Sequence, residues 1–152
     1  MKPAYCLICL LAMLPAAPAN SGNLPVISLM AATELKADAS GHFRATAAIN
    51  GRDVKVLIDT GATVVALSYE DADDIGLRPR NLEFNVLVST ANGNAKAAAV
   101  TLDSVEIDGV EVEGVAGLVL PEGTLKGTLL GMSFLGRLDG FKVEDGVLHL
   151  KE

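Results

Sequence analysis

Apolar and polar positions alternate along much of this chain. Residues 43, 45, 47 and 49 are apolar, while positions 44 and 46 carry Arg and Thr. This is the period-2 pattern of a strand with one buried face. Asn50-Gly51 follows directly and suits the two positive φ angles of a tight hairpin turn. Residues 53–58 are therefore predicted to form the returning strand.

Turn signals separate further apolar segments. Asp108-Gly109 and Glu144-Asp145-Gly146 each stand between two such segments, as in hairpins. The predicted strand pairs are residues 84–88 and 97–102 (joined by a loop over 89–96), 100–107 and 110–120, and 141–143 and 147–150. Many short strands at regular spacing indicate an all-β, closed architecture.

One or two short helices are expected within this all-β frame. Ser68 can cap a helix over residues 68–75, with Asp71 three residues on and Gly76 as a natural stop. The acidic residues of this helix are interpreted as a solvated face, because the spacing and turn glycine of a metal loop are missing. Residues 129–136 predict a strand end, a glycine turn and a second short helix.

Composition restricts the class of protein. The chain has 152 residues, half of them apolar and 20% charged, which is enough for one globular domain with a core. Its net charge is −7 and the sequence itself shows no basic patch, so nucleic acid is not expected as a partner. The only histidines are His42 and His149, and no metal or other cofactor is expected.

The first nineteen residues differ from the rest. Lys2 is their only charge, residues 4–17 are nearly all apolar, and positions 17 and 19 are both alanine. This predicts a secretory signal peptide over residues 1–19. An uncleaved N-terminal anchor is the alternative, although the apolar run is short for a membrane span.

Export has consequences for chemistry and location. Both cysteines, Cys6 and Cys9, lie in the predicted signal peptide, so the exported chain would have no thiol nucleophile, disulfide or cysteine metal site. Residues 20–40 are interpreted as an N-terminal segment or tether, with an apolar stretch at 26–30. We expect a secreted or periplasmic protein, or one held at the envelope by its N-terminus, with membrane contact only in that second case.

Asp59-Thr60-Gly61-Ala62 has the clearest chemical meaning. Apolar strand patterns flank it on both sides, so a carboxylate stands where a buried strand opens into a tight turn. Two such carboxylates held together share one proton and activate a water. An ordinary β-turn uses the same residue types, but a second glycine motif, Leu129-Leu130-Gly131, favours the catalytic interpretation.

With these motifs in place, the chain resembles the retropepsin-like aspartic peptidases, most closely their bacterial secreted or membrane-anchored branch. The resemblance runs from about residue 41 to residue 150, so the predicted domain is 41–152. The matching segments are Gly41-His42-Phe43, Asn50-Gly51, Ile58-Asp59-Thr60-Gly61-Ala62-Thr63, Asp71-Ala72, Ile75-Gly76-Leu77, Ser89-Thr90-Ala91-Asn92-Gly93 and Leu129-Leu130-Gly131-Met132-Ser133-Phe134-Leu135.

The resemblance implies a closed retropepsin-like barrel and assigns roles to its loops. Asp59 would be the catalytic aspartate of a loop that includes Thr60, Gly61 and Ala62. The Thr60 hydroxyl would tie the two active-site loops of a dimer together, and Gly61 would let the substrate backbone approach.

Two further segments would complete the site by resemblance. Ala91, Asn92 and Gly93 would form the tip of a mobile flap hairpin that closes over substrate and excludes water. Leu130 and Gly131 would support the catalytic loop from below, in the psi-shaped crossing of the family.

The function expected is that of an aspartic endopeptidase acting on a protein or peptide. The chain has one Asp-Thr-Gly, so a second copy must supply the other Asp59 across a two-fold axis. One alternative is a catalytically inactive binding or assembly module of the cell envelope with the same fold. Another is an unrelated acidic β-domain in which the motif is a coincidence.

Overall fold

The computed structural model describes residues 31–90 and 93–152. Within these ranges the strands are β1 (Ala32–Lys36), β2 (Arg44–Ile49), β3 (Arg52–Ile58), β4 (Val65–Leu67), β5 (Val86–Thr90), β6 (Gly93–Ile107), β7 (Val110–Val119), β8 (Thr128–Leu130), β9 (Gly140–Glu144) and β10 (Val147–Lys151). The α-helices are α1 (Tyr69–Asp74) and α2 (Met132–Leu135), and a 3-10 turn spans Pro79–Asn81. The predicted signal peptide, residues 1–19, and the apolar stretch at 26–30 lie outside the described residues.

Six strands close into a barrel in the order β2-β3-β8-β4-β7-β6. The ring is completed by β2 and β6, where Ala48 pairs with Glu106 and Ile49 with Val105. The β3–β8 and β4–β7 pairs are parallel, whereas the others are antiparallel. The predicted all-β, closed architecture with two short α-helices is confirmed.

Side-chain alternation fills the barrel with apolar residues. Ala47 on β2 and Val56 on β3 are at most 2% exposed, while the cross-strand pair Thr46 and Lys55 faces solvent. Phe134 of α2 is the largest of the fully buried side chains. The period-2 pattern of residues 43–49 and 53–58 therefore predicted the buried face correctly.

A separate three-stranded sheet has the order β1-β10-β9. Leu35 of β1 is 8% exposed and joins the core with Leu148 and Leu150 of β10. Residues 32–36 therefore pair and pack as part of the folded domain, although the sequence placed them in a tether ahead of residue 41. Each of these five residues pairs with a residue of β10, near the other end of the chain. Such a distant partner leaves no sign in the local sequence.

The local signals predicted turns and caps well. Asn50 and Gly51 have φ angles of 51° and 74°, as a tight hairpin between β2 and β3 requires. The Ser68 hydroxyl accepts a hydrogen bond from the Asp71 N–H at 3.1 Å at the start of α1. Neither α1 nor α2, the only α-helices in the described ranges, could span a membrane.

The loop predicted over residues 89–96 is wrong in extent. β5 runs to Thr90 and β6 begins at Gly93, and these two residues pair with each other. The polar residues here continue the ladder instead of ending it: the Ser89 hydroxyl donates to Asn94 Oδ1 across the hairpin at 3.1 Å. The two predicted segments 97–102 and 100–107 also form one continuous strand, β6.

Candidate active site

Asp59 is held at the point where β3 leaves the barrel wall. Its N–H donates to the Leu130 carbonyl oxygen at 3.0 Å, and the Ala62 N–H returns to the Asp59 carbonyl oxygen at 3.2 Å. Asp59 is half-buried and the next residue, Thr60, is exposed. The turn thus fixes the backbone of the carboxylate and leaves its side chain reachable from solvent.

The Asp59 carboxylate has one fixed hydrogen bond within the described residues. Its Oδ1 atom accepts the Gly61 N–H at 2.8 Å. A Cβ atom on Gly61 would lie 3.1 Å from the same Oδ1, so glycine leaves the carboxylate room. The second oxygen, Oδ2, makes no hydrogen bond in the described part of the chain and is available to water or to a second chain.

The loop that contains Asp59 crosses the β8–α2 connection at very close range. The Met132 N–H donates to the Ala62 carbonyl oxygen at 2.8 Å. A Cβ atom on Gly131 would lie 2.3 Å from the Val64 carbonyl oxygen, so no residue with a side chain fits without displacing backbone. The structure therefore brings residues 59–62 together with Leu130 and Gly131.

The Ser133 side chain stabilises this crossing with two hydrogen bonds, a role that the sequence did not indicate. Its hydroxyl accepts the Val65 N–H at 3.0 Å and donates to the Ala116 carbonyl oxygen at 2.7 Å. One side chain of α2 thus joins β4 to β7. The only signal in the sequence was its place two residues after Gly131, within the segment 129–135 that resembles the family, and that segment assigns no role to its hydroxyl.

A second side-chain hydrogen bond connects β8 to α1. Thr128 is only 2% exposed, and its hydroxyl donates to Asp71 Oδ2 at 2.7 Å. Asp71 is thus an exception within the acidic helix that the sequence assigned to a solvated face. Because β8 carries the carbonyl oxygen that accepts the Asp59 N–H, this bond supports the Asp59 loop indirectly.

The predicted flap is a hairpin that projects beyond the barrel. Residues 93–97 of β6 pair with β5, and the pairing with β7 starts only at Ala98. Gly93, a predicted tip residue and the first residue of β6, has a φ angle of 107°. Its carbonyl oxygen accepts the Thr90 hydroxyl at 2.7 Å. The other predicted tip residues, Ala91 and Asn92, lie outside the described residues.

The described residues offer no group of three His, Cys, Asp or Glu side chains that could hold a metal ion. The arrangement that they do offer is a solvent-reachable carboxylate on a loop whose backbone is hydrogen-bonded to Leu130 and to Met132. A single carboxylate in this geometry can act as either a base or an acid toward water, and a pair can act as both.

Comparisons with known proteins agree with this geometry. A family model described as "gag-polyprotein putative aspartyl protease" matches residues 45–137. An uncharacterised protein from Sinorhizobium sp. is 44% identical over 113 residues, which are 74% of this chain and 48% of that protein. One from Rickettsia prowazekii (strain Madrid E) is 41% identical over 112 residues, or 72% and 47% of the two chains. The chain spans about half the length of these curated relatives.

Solved structures show the same fold. The crystal structure of a retropepsin-like aspartic protease from Rickettsia conorii matches with a TM-score of 0.73 and 36% identity, over 80% of this chain and 91% of that one. The EIAV protease in complex with the inhibitor HBY-793 matches with a TM-score of 0.55 and 20% identity, over 68% and 93% of the chains. The barrel and the crossed loops define a retropepsin-like fold.

This chain belongs to the retropepsin-like aspartic protease family. The reading of Asp59-Thr60-Gly61 as a coincidental turn in an unrelated β-domain is therefore wrong.

Proposed function

We propose that the protein is an aspartic endopeptidase that works as a homodimer, with one Asp59 from each chain at a shared site. The observation that carries the proposal is the solvent-reachable Asp59 carboxylate, whose backbone is held by hydrogen bonds at the two crossed loops. Its Oδ2 has no partner within the described residues, which suits a group that meets a water and a second carboxylate.

The reaction follows from two carboxylates at about 3 Å separation, which cannot both ionise. The ionised carboxylate takes a proton from the bridging water as the water oxygen bonds to the peptide carbonyl carbon. The protonated carboxyl gives its proton to the carbonyl oxygen, and a neutral gem-diol results. Its collapse breaks the C–N bond, with a proton delivered to the leaving amine.

Neighbouring residues have supporting roles in this proposal. Thr60 is exposed beside Asp59, where its hydroxyl can bond to the partner's loop. Gly61 leaves the substrate backbone space to approach the carboxylate. The β5–β6 hairpin overhangs the barrel as a flap, and its closure would exclude water other than the nucleophile.

The dimer also needs an apolar contact surface. Phe141 and Val143 of β9 are 37% and 60% exposed, although they pair with the buried Leu150 and Leu148. They extend the buried face of the small sheet past the core. β9 is also an edge strand of that sheet, so it can accept a further strand. We expect a second copy to cover this surface.

Asp59→Asn is the direct test of the activity. Asparagine Oδ1 can still accept the Gly61 N–H, so the fold should persist, but the amide cannot take a proton from water. Cleavage of an unfolded protein such as casein should fall by about 10³-fold or more. Asp73→Asn is the matched control, because Asp73 is exposed on α1 and should keep full activity.

The outcomes separate the two candidate functions. Turnover by Asp59→Asn equal to that of Asp73→Asn would contradict the catalytic assignment. A folded, dimeric wild type that cleaves no unfolded substrate would favour the inactive binding or assembly module instead.

Export belongs to the same proposal. We place the protein in the periplasm or outside the cell after removal of residues 1–19, on the strength of the charge and apolar pattern of that segment. N-terminal sequencing of the native protein should give Asn20. An intact Met1 in the membrane fraction would mean an anchor at the envelope.

A further inference from the structure

A groove of about 430 Å³ runs over the outer face of β2, β3 and the start of β8. Its lining includes three cations, Arg44, Lys55 and Lys126, and no carboxylate. The whole chain has 12 basic and 19 acidic residues, so this local charge is opposite in sign to the net charge. We call this surface the basic groove.

The basic groove lies beside the Asp59 loop. Leu57 lines it and lies two residues before Asp59, which directly follows the last residue of β3. The Asp59 N–H also bonds to Leu130, the residue after Leu129 of the groove lining. Leu57 pairs with Leu129 of β8, which also lines the groove. The distance from Leu57 to Asp59 along an extended strand is roughly 7 Å, or two residues of a bound peptide.

Two of the three cations are free to meet a ligand. Arg44 Nε is 3.1 Å from Asp38 Oδ2, so its charge is partly matched. Lys55 and Lys126 form no ion pair within the described residues, and both are exposed. Lys55 pairs with Thr46 across the hairpin, which puts the ammonium group and a hydroxyl on one face.

We infer that the basic groove selects an acidic side chain of the substrate, a few residues from the scissile bond, through Lys55 and Lys126. This inference rests on the proposed endopeptidase function. An exposed Lys–carboxylate pair is weak, so each lysine should raise kcat/KM for the acidic peptide about twofold to fivefold. A symmetric dimer has two such grooves, so the preference should fall at two positions equidistant from the scissile bond.

A peptide series tests the inference. In a neutral peptide that the enzyme cleaves, single Glu and Gln residues are placed in turn at each of the four positions on either side of the scissile bond. We expect a Glu/Gln ratio in kcat/KM above about three at one symmetric pair of positions, and near one elsewhere. The ratio should fall in 1 M salt, where the Debye length is about 3 Å.

Variants connect the preference to the two lysines. Lys55→Gln with Lys126→Gln should bring the Glu/Gln ratio close to one, and Lys55→Glu should favour a Lys peptide instead. Lys36→Gln is the matched control, since Lys36 is an exposed lysine of β1 outside the groove, and it should keep the ratio. A ratio near one at every position in the wild type would overturn the inference, as would a preference that survives the double variant.

A binding measurement separates this inference from the proposed function. Fluorescence anisotropy of the same labelled peptides on the Asp59→Asn protein reports recognition without cleavage. Tighter binding of the Glu peptide, lost in the double lysine variant, would support the basic groove even if the wild type cleaved nothing. Equal binding of the Glu and Gln peptides would contradict it even if the wild type were an active peptidase.

Discussion

Replacement of Gly131 by alanine tests whether the crossed loops hold the Asp59 carboxylate in place. The added Cβ would lie 2.3 Å from the Val64 carbonyl oxygen and 2.5 Å from that of Ala62. Both oxygens belong to backbone. Since comfortable contact needs roughly 3.5 Å, the two loops must separate by roughly 1 Å.

The size of the effect follows from that displacement. Forced overpacking in a rigid site costs about 1–3 kcal/mol, and we expect Gly131→Ala to lose about 3 kcal/mol because no flexible side chain can yield. The melting temperature should fall by roughly 10 °C. Because the Asp59 loop itself moves, kcat/KM should fall by about 10²-fold as well.

Two other glycines provide a graded control. A Cβ on Gly117 would lie 3.2 Å from Val100 Cγ2, a side-chain atom that can shift, whereas one on Gly140 meets no atom within 4 Å. Urea unfolding followed by circular dichroism should rank the losses as Gly131→Ala, then Gly117→Ala, then Gly140→Ala. Stability and peptide cleavage of Gly131→Ala equal to those of Gly140→Ala would show that the backbone crowding at Gly131 does not hold the Asp59 loop.

Three further predictions address the hydrogen bonds that support the site and the fold, and the proposed dimer surface. Ser133→Ala should lower the free energy of unfolding by about 1–3 kcal/mol in urea titrations, because it leaves two backbone groups without their partner; a loss below 0.5 kcal/mol, a rough measurement limit, would contradict the locking role. The pKa of Asp38 is held below its ordinary value chiefly by the backbone N–H groups of His42 and Ser40. Ionised Asp38 therefore stabilises the fold above that ordinary value, and the difference in urea midpoint between wild type and Asp38→Asn should be full at neutral pH and shrink below about pH 4; a difference independent of pH would oppose this. Phe141→Ser with Val143→Ser should shift sedimentation toward monomer, whereas Lys142→Ser on the opposite face of β9 should not, and equal shifts would argue against β9 as the dimer surface.

The parts of the fold that sequence predicted best are those set by neighbouring residues. The turn at Asn50-Gly51, the cap at Ser68 and the glycine turn at Gly131 each depend on a few consecutive side chains. The Asp59 motif belongs with them, because a strand, a carboxylate and a glycine adjacent in the chain define it. Alternation along β2 and β3 likewise identified the barrel's inner face.

The parts that sequence could not predict depend on partners far apart in the chain. The Ser133 hydroxyl bonds to Val65, 68 residues away, and Thr128 bonds to Asp71 over 57 residues. Neither side chain carries a local mark of its partner. The partners β1 and β10 are also far apart in the sequence. For this reason the sequence of residues 32–36 indicated a tether and not a strand.

The hairpin of β5 and β6 was predicted with too long a loop for a related reason. Asn, Ser and Ala near its tip are typical loop residues, and their composition favours a turn over a ladder. The strands nevertheless stay paired as far as Thr90 and Gly93, and a hydrogen bond between the Ser89 and Asn94 side chains joins them. Pairing between β5 and β6 therefore overrides the preference of these residues for a turn.

Mixing subunits tests whether two chains share one active site through Asp59. Wild-type and Asp59→Asn chains are combined in varied ratio at constant total concentration and allowed to exchange, and casein cleavage is measured. If each site needs two carboxylates, activity falls as the square of the wild-type fraction, so an equal mixture keeps about one quarter of the full rate. Specific activity of wild type alone should also fall on dilution below the dimer dissociation constant. Activity that declines linearly with the wild-type fraction under confirmed exchange, or that persists in a sample containing only monomer, would contradict the shared site.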